Sequence, residues 1–380
     1  MPTRTTEAID LPVTSSGTQR QLKVVRYGNP GSRPKAYIQS SLHADEIPGM
    51  LLVHHLDRLL HTADQEGRIT GEIVLLPIAN PIGLSLFLRG HLSGRFELGN
   101  GVNFNRHYPD VTPAVAERVQ DRLTRDAAVN VSVIRKHILE VIKEFPAPDE
   151  TAFMRKTLLL LAADADICLD LHCDWEAVMH IYLGTPLWPD GSDLAAQLGS
   201  RATLLAEVSG GNPFDEAVGG IWWALARRFP VYPIPPACLS STVELRGQND
   251  VSHDVARRDA GNLFRFLIRR GLLEGDPGTL PEPTAPATPL EGVDAVRAPH
   301  AGVVIYLKKP GDHVGAGEAV AEIVDPWADC LQSHTVVHAR VSGVMFSRRD
   351  DRFARPGQTL CRIAGPEPLP DRIGGNLLSD

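Results

Sequence analysis

Five short runs of the chain are apolar or alternate apolar with polar residues: "KAYIQSSL" (35–42), "GEIVLLPIAN" (71–80), "ADICLDLHC" (165–173), "AVMHIYLG" (177–184) and "CLSSTVELRG" (238–247). Their length and content of Val, Ile, Leu and Tyr predict β-strands. Several are apolar almost throughout, as expected when both faces of a sheet are covered. Between them, four longer segments repeat apolar positions at helical spacing: "GMLLVHHLDRLLHTADQEG" (49–67), "SVIRKHILEVIKEFP" (132–146), "TAFMRKTLLLLAADA" (151–165) and "DVARRDAGNLFRFLIRRGLL" (254–273). Strands alternating with helices predict an α/β domain built on a mixed or mainly parallel sheet. Ligands of such sheets bind outside the carboxyl ends of the strands.

The pattern changes at "GDPGTLPEPTAPATPLEG" (275–292), which is rich in Pro, Thr and Gly and has no apolar period. It reads as a semi-extended linker between domain 1–274 and domain 293–380. In the latter, "APHAGVVIYLKKPGDHVGAGEAVAEI" and "ARVSGVMFSRRDDRFARPGQTLCRI" share a layout of short β-branched runs and Gly/Pro turns. This two-fold internal repeat predicts a small all-β sandwich. At 380 residues, a large domain plus a small one is the expected division.

Composition narrows the partners. With 43% apolar and 22% charged residues the chain has the balance of a soluble globular protein. Its formal net charge of −8, from 46 acidic and 38 basic residues, argues against nucleic acid or an anionic membrane as partner. The N-terminus has no apolar h-region of a secretory signal. No segment approaches the roughly 20 apolar residues of a membrane helix. Five scattered cysteines without a C-x-x-C pair fit reduced thiols in a cytoplasm.

Chemistry concentrates at the strand ends. "SLHADEIPGM" (41–50) places His43 and Glu46 directly after the first strand, and "DICLDLHCDW" ends a second strand on His172. His43, Glu46 and His172 make two ligands close in sequence and one distant, the His/Glu/His set of catalytic zinc sites, with a fourth position open to water. In "GRFELGNGVNFNRHYPD" (94–110), Arg106 can fork onto a substrate carboxylate, Asn105 can add a donor, and Arg95 can stabilise an oxyanion. In "STVELRG" (241–247), alternation sets Glu244 opposite Val243 and Leu245. A glutamate there is either paired, for instance with Arg246, or used as a general base. Each motif has a plainer reading alone: a hydrogen-bonded strand-end histidine, arginines in a solvated loop, a salt-bridged glutamate. Two histidines at strand ends with Glu46 at the right gap outweigh it. Asp45 reads as orienting a neighbour, and Asp170 as a support of His172 or an ordinary hydrogen-bond partner. Cys173 reads as a buried thiol, His54 and His55 as packing or surface residues, and Trp222 and Trp223 as core.

In this order, His43-x-x-Glu46, "NPIG", Arg95, Asn105-Arg106, "DLH" ending on His172, and Glu244 in "VELRG" resemble the succinylglutamate desuccinylase/aspartoacylase family, a branch of the M14-like zinc carboxypeptidase superfamily. The resemblance spans about residues 35–270 and the C-terminal β domain. It implies a zinc-carboxypeptidase-like mixed sheet flanked by helices. It also implies one Zn2+ per chain on His43, Glu46 and His172, Glu244 as general base, Asn105 and Arg106 on the substrate carboxylate, and Arg95 at the scissile carbonyl, with Arg89 as the alternative arginine. The family's Asp-Leu-Asn-Arg is here "NFNR", with Asn103 in the aspartate's place. The C-terminal domain resembles the barrel-sandwich of biotinyl and lipoyl carriers, but "VDPWADCLQSHTVVHA" lacks the attachment lysine. That favours a structural role, as a cap or a homo-oligomer contact. The expected activity is hydrolysis of the amide of a small N-acyl amino acid. The alternatives are a metallocarboxypeptidase and a binding module that has lost its chemistry.

Overall fold

The computed structural model describes residues 2–331, 333–372, 374–375 and 377. A nine-stranded mixed sheet contains, in chain order, β1 (Thr5–Asp10), β2 (Gln21–Tyr27), β3 (Lys35–Ser40), β4 (Glu72–Leu76), β5 (Ile167–Asp174), β6 (Met179–Gly184), β7 (Ala202–Ala206), β8 (Leu239–Gly247) and β9 (Ala287–Pro289). Their spatial order is β1-β2-β4-β3-β5-β8-β6-β7-β9. Neighbours from β4 to β8 run parallel, as do β6, β7 and β9; β6 is antiparallel to β8, and β1 and β2 form an antiparallel edge.

Every residue of β3 and β4 is buried, so the sheet is covered on both faces. Successive side chains of a strand point to opposite faces, and the core divides accordingly. Tyr37, Val74, Leu76 and Cys168 join the residues of α2 (Ala127–Glu144), α3 (Glu150–Ala162) and α4 (Phe214–Arg228). Ala36, Ile38, Ile73, Leu75 and Leu169 join those of α1 (Pro48–Gln65) and α5 (His253–Arg269). The helices begin where local chemistry expects: α1 on Pro48, α2, α3 and α5 on the side-chain caps Asp126, Asp149 and Ser252. The sequence pattern does not single out β1, β2, β7 or α4, and it reads the stretch that holds β9 as a linker. In α4 the pair Gly219–Gly220 weakens the helical signal, and the fold needs the first of them: a Cβ on Gly219 would lie 2.9 Å from Ser240 Oγ on β8.

The C-terminal part forms two antiparallel sheets. One orders Val293–Arg297, Thr359–Ala364, Gly343–Arg348 and His313–Val314; the other orders His334–His338, Ala319–Val324, Gly302–Tyr306 and Phe353–Ala354. Val304, Val320, Ile323, Met345, Leu360 and Ile363 pack between them. The first sheet also takes in Glu176–Ala177, just after β5, through the pairs Ser347↔Ala177 and Arg348↔Glu176. The segment 275–292 lies along the main sheet: its β9 pairs with β7, and the Thr284 hydroxyl donates to the Ser200 carbonyl. No helix among the described residues is long and apolar enough to cross a membrane.

One close approach fastens the turn after β3. Ser41 takes φ 64°, and the Ala44 N–H donates to the Gly94 carbonyl at 3.0 Å. A Cβ on Gly94 would stand 2.5 Å from the Asp45 nitrogen and 2.7 Å from the Ala44 carbonyl carbon. Gly94→Ala is expected to lower the urea midpoint by the equivalent of about 1–3 kcal/mol. Gly99→Ala, whose Cβ would meet nothing within 4 Å, is the matched control and is expected to change it little.

Candidate metal centre and active-site pocket

His43, Glu46 and His172 converge. Each is buried, and one ligand atom from each lies within 4.8 Å of the others. The turn after β3 is closed by the Glu46 N–H on the His43 carbonyl, 3.1 Å, which sets both side chains on one side. His172 comes from the carboxyl end of β5, next to β3 in the sheet.

The partners of the two imidazoles decide which nitrogen faces the centre. Asn103 Oδ1 lies 2.8 Å from His43 Nε2 and also accepts the backbone N–H of Asn105 at 2.8 Å. A backbone N–H only donates, so this atom is the amide oxygen, and His43 Nε2 carries the proton. Asn103 thus fixes the orientation of the His43 ring. Asp170 Oδ2 holds His172 Nε2 at 2.9 Å. Both rings therefore turn Nδ1 toward Glu46, at 2.9 Å for His43 and 2.7 Å for His172. Asp170 is itself held: Tyr37 donates to Gln39 Oε1, and Gln39 Nε2 donates to Asp170 Oδ1 at 3.0 Å. This buried chain places Asp170 where it would support His172 as a candidate metal ligand.

Burial and then the Arg95 charge bring His43 down to about 4, so its ring is neutral. His43 Nδ1 and Glu46 Oε1 are then two lone-pair atoms facing one another, with Arg95 Nη1 3.1 Å from each. Burial works to raise Glu46, but the charges of His172 and His43 prevail and hold it well below the usual carboxylate range. Burial works against charge on His172, yet Asp170 and Glu46 raise its pKa well above the usual value. Three donors of the right chemistry, with an excess of negative charge around them, fit a divalent cation.

Glu244 completes the centre through register. It pairs with His172 on β5, while Val243 and Leu245 face the other core. Its Oε2 is buried without a hydrogen-bond partner. Burial, then the Glu46 charge, push its pKa up to about 8. Arg246 does not pair with it; at φ 68° it turns away to Asp259. Asn105 Oδ1 accepts the first N–H of α4, from Phe214, at 2.8 Å, and Arg106 Nη1 donates to the Asn105 carbonyl at 2.8 Å. Arg155 of α3 fixes the same loop through the Asn103 carbonyl at 2.7 Å.

All seven residues read from the sequence, His43, Glu46, Arg95, Asn105, Arg106, His172 and Glu244, line one pocket of about 100 Å³. Arg89 lies outside it, exposed on the small hairpin formed by Phe87–Leu88 and His91–Leu92. Cys173 borders the pocket, and its backbone N–H donates to Glu46 Oε2 at 3.0 Å. Asp45 Oδ1 is buried without a partner. Trp222 and Trp223 are buried in the two cores, and His55 in α1 meets His253, the first residue of α5, at 3.0 Å. Sequence reasoning missed Tyr182, Asp215, Glu216, Leu290 and Arg362, which also line the pocket. None stands in a motif. Asp215, at the start of α4, is pushed up to about 6 by burial and then Asp170, and Glu216 to about 7 by burial and then Asp215.

Residues 32–133 match the family model of the succinylglutamate desuccinylase/aspartoacylase catalytic domain. The N-alpha-acetyl-L-2,4-diaminobutyric acid deacetylase of Halomonas elongata is 22% identical over 346 residues, 88% of this chain and 83% of the relative. A crystal structure of a succinylglutamate desuccinylase/aspartoacylase family protein from Shewanella amazonensis superposes with a TM-score of 0.82 at 25% identity, covering 95% of this chain and 98% of the other. The product-bound ectoine utilization protein EutE (DoeB) of Ruegeria pomeroyi has the same fold, with a TM-score of 0.68 at 17% identity and 95% coverage of each chain.

Two outcomes are expected. A divalent cation should raise the thermal midpoint of the chelated protein, and His43→Ala with His172→Ala should abolish the rise; calorimetric scans with and without added metal measure this. Asp215 has a higher pKa folded than its ordinary 3.8. The folded state therefore binds its proton more tightly, and stability falls as pH rises from about 4 through about 6. In chelator, Asp215→Asn should be more stable than the parent by about 2 kcal/mol at pH 8, with the gap closing near pH 4. Denaturant titrations at the two pH values measure it. By family model, relative and fold alike, the chain is similar to the succinylglutamate desuccinylase/aspartoacylase family: residues 32–133 match its catalytic-domain model, and the chain folds as a solved protein of that family does.

Proposed function

We propose that this protein is a zinc-dependent hydrolase of a linear amide, releasing the acyl group from an N-acyl amino acid or a related small carboxylate in the cytoplasm. One observation carries the reading: the convergence of His43, Glu46 and His172 beside a buried Glu244 whose Oε2 has no other partner. The names of the Halomonas deacetylase and of the matched family support an N-acyl substrate. The division of labour follows the segments 1–274, 275–292 and 293–380, with the metal residues, the base and the substrate arginines in the first.

His43 and His172 would hold the cation through Nδ1, and Glu46 through its carboxylate. When bound, Zn2+ supplies Lewis acidity that brings the pKa of a water down toward about 7. Glu244 Oε2 takes the proton from the attacking water and returns it to the departing amine. Arg95 Nη1 donates to the carbonyl oxygen as negative charge builds there. Arg106, with Asn105, receives the substrate carboxylate.

A metallocarboxypeptidase would use the same clamp and base. Leu290, from the segment 275–292, and Arg362, from the C-terminal sheet, contribute to the pocket wall, and a cleft narrowed by these later segments suits a small substrate better than a peptide. Release of primary amine from N-acetyl, N-succinyl and N-aroyl amino acids, acylated diamino acids and dipeptides decides between them. Chelator-sensitive release from one N-acyl class is expected; cleavage confined to peptides would favour the carboxypeptidase. Glu244→Gln is expected to retain one metal per chain by elemental analysis while losing at least about 10²–10⁴-fold in kcat. Near-normal turnover with full metal would remove Glu244 from the role of base.

A further inference from the structure

The two candidate histidine ligands are held from behind by different chemistry. His172 Nε2 lies 2.9 Å from Asp170 Oδ2. A carboxylate only accepts, so the ring donates in a charge-assisted bond, which makes its inner nitrogen a stronger donor to a cation. His43 Nε2 lies 2.8 Å from Asn103 Oδ1, a neutral amide oxygen that it shares with the Asn105 N–H. On the inner side, Arg95 Nη1 stands 3.1 Å from His43 Nδ1 and competes for the same lone pair.

The Asn103 amide is not held for its N–H groups. Its Nδ2 is buried and has no acceptor. A cation already stands beside the residue: Arg155 Nη2 donates to the Asn103 carbonyl at 2.7 Å and to the Phe104 carbonyl at 3.3 Å, and the Arg155 Nε is buried without a partner. A carboxylate of the same shape would lose no hydrogen bond at this place. What sets Asn103 apart from an aspartate here is its neutrality. Asn103 does not line the pocket, so its influence passes through His43.

Resting on the reading of this centre as a metal site, we propose that Asn103 makes His43 the weaker of the two histidine ligands and so sets how tightly the cation is held. His172, backed by Asp170, is the anchor. His43, backed by an amide, is the histidine that yields first when the cation leaves. Asn103 is thus a positioning residue that tunes the ligand it orients.

Competition for Zn2+ with a chromophoric chelator, and the rate of Co2+ release to excess chelator, read this without turnover. Asn103→Asp should bind Zn2+ at least about tenfold more tightly than the parent and release Co2+ at least about tenfold more slowly. Asp170→Asn should weaken binding at least about tenfold, and the two changes together should return it toward the parent. Nitrogen-15 histidine spectra of the metal-free protein separate donation from added charge. In the parent, the Nε2–H proton of His172 should resonate downfield of that of His43, an order that needs no variant. In Asn103→Asp the His43 resonance should move downfield while that of His172 stays in place. Affinity unchanged or weakened in folded Asn103→Asp, a gain with an unmoved His43 resonance, or the reverse order in the parent would overturn the proposal. A parent that binds neither Zn2+ nor Co2+ would sink the metal reading. A His43 resonance that still moves would then keep the unequal support of the two rings, and one that does not would remove it.

Discussion

Glu46 is a carboxylate buried between two imidazoles, and the site is organised around it. Taking such a charge out of water costs several kcal/mol unless other groups replace its hydration. Here both oxygens are engaged: Oε1 by His43 and Arg95, Oε2 by His172 and the Cys173 N–H. Two of these partners are the other candidate ligands, so the contacts that make the buried charge tolerable also assemble the candidate metal centre. Asp170 and Asn103, which hold the outer nitrogens of the rings, then leave both Nδ1 atoms aimed inward.

The sheet delivers these groups to one place by register. Gln39 on β3 lies opposite Asp170 on β5, and His172 on β5 lies opposite Glu244 on β8. Three adjacent parallel strands thus bring a ligand support, a ligand and the candidate base to one end of the sheet. A slip of one residue in either ladder would turn Glu244 or Asp170 toward the opposite core. The apolar alternation of Val243, Leu245, Leu169 and Leu171 on that opposite face forbids the slip. The polar site therefore inherits its geometry from the hydrophobic faces of the strands that carry it.

The C-terminal β part is bound into this arrangement at several points. It extends one of its sheets with Glu176–Ala177, salt-bridges Arg348 and Arg352 to Glu176, and inserts Arg362 against Asp174. These acceptors follow His172 by only a few residues. The second sheet system thus touches the catalytic sheet where the site opens, and its arginine contributes charge to a pocket whose other functional groups all come from the first 250 residues.

The sequence by itself determined the α/β class, four of the main helices, the central strands, and all seven residues of the candidate site named from motifs. Strand periodicity and strand-end chemistry are local, and the His43-x-x-Glu46 gap and the Glu244 alternation can be read within a few positions. The edge pair β1–β2, the strands β7 and β9 and the helix α4 escaped, because glycines and short runs dilute their periodicity. Only the tertiary structure put Arg95 in the pocket and Arg89 outside it, set Asn103 against His43, and brought Tyr182, Asp215, Glu216, Leu290 and Arg362 to the pocket. Leu290 lies in a stretch that composition marks as a mere linker, and Arg362 is 190 residues beyond His172. Their roles depend on which surfaces meet after folding, and a contact between distant segments leaves no periodic trace in either one.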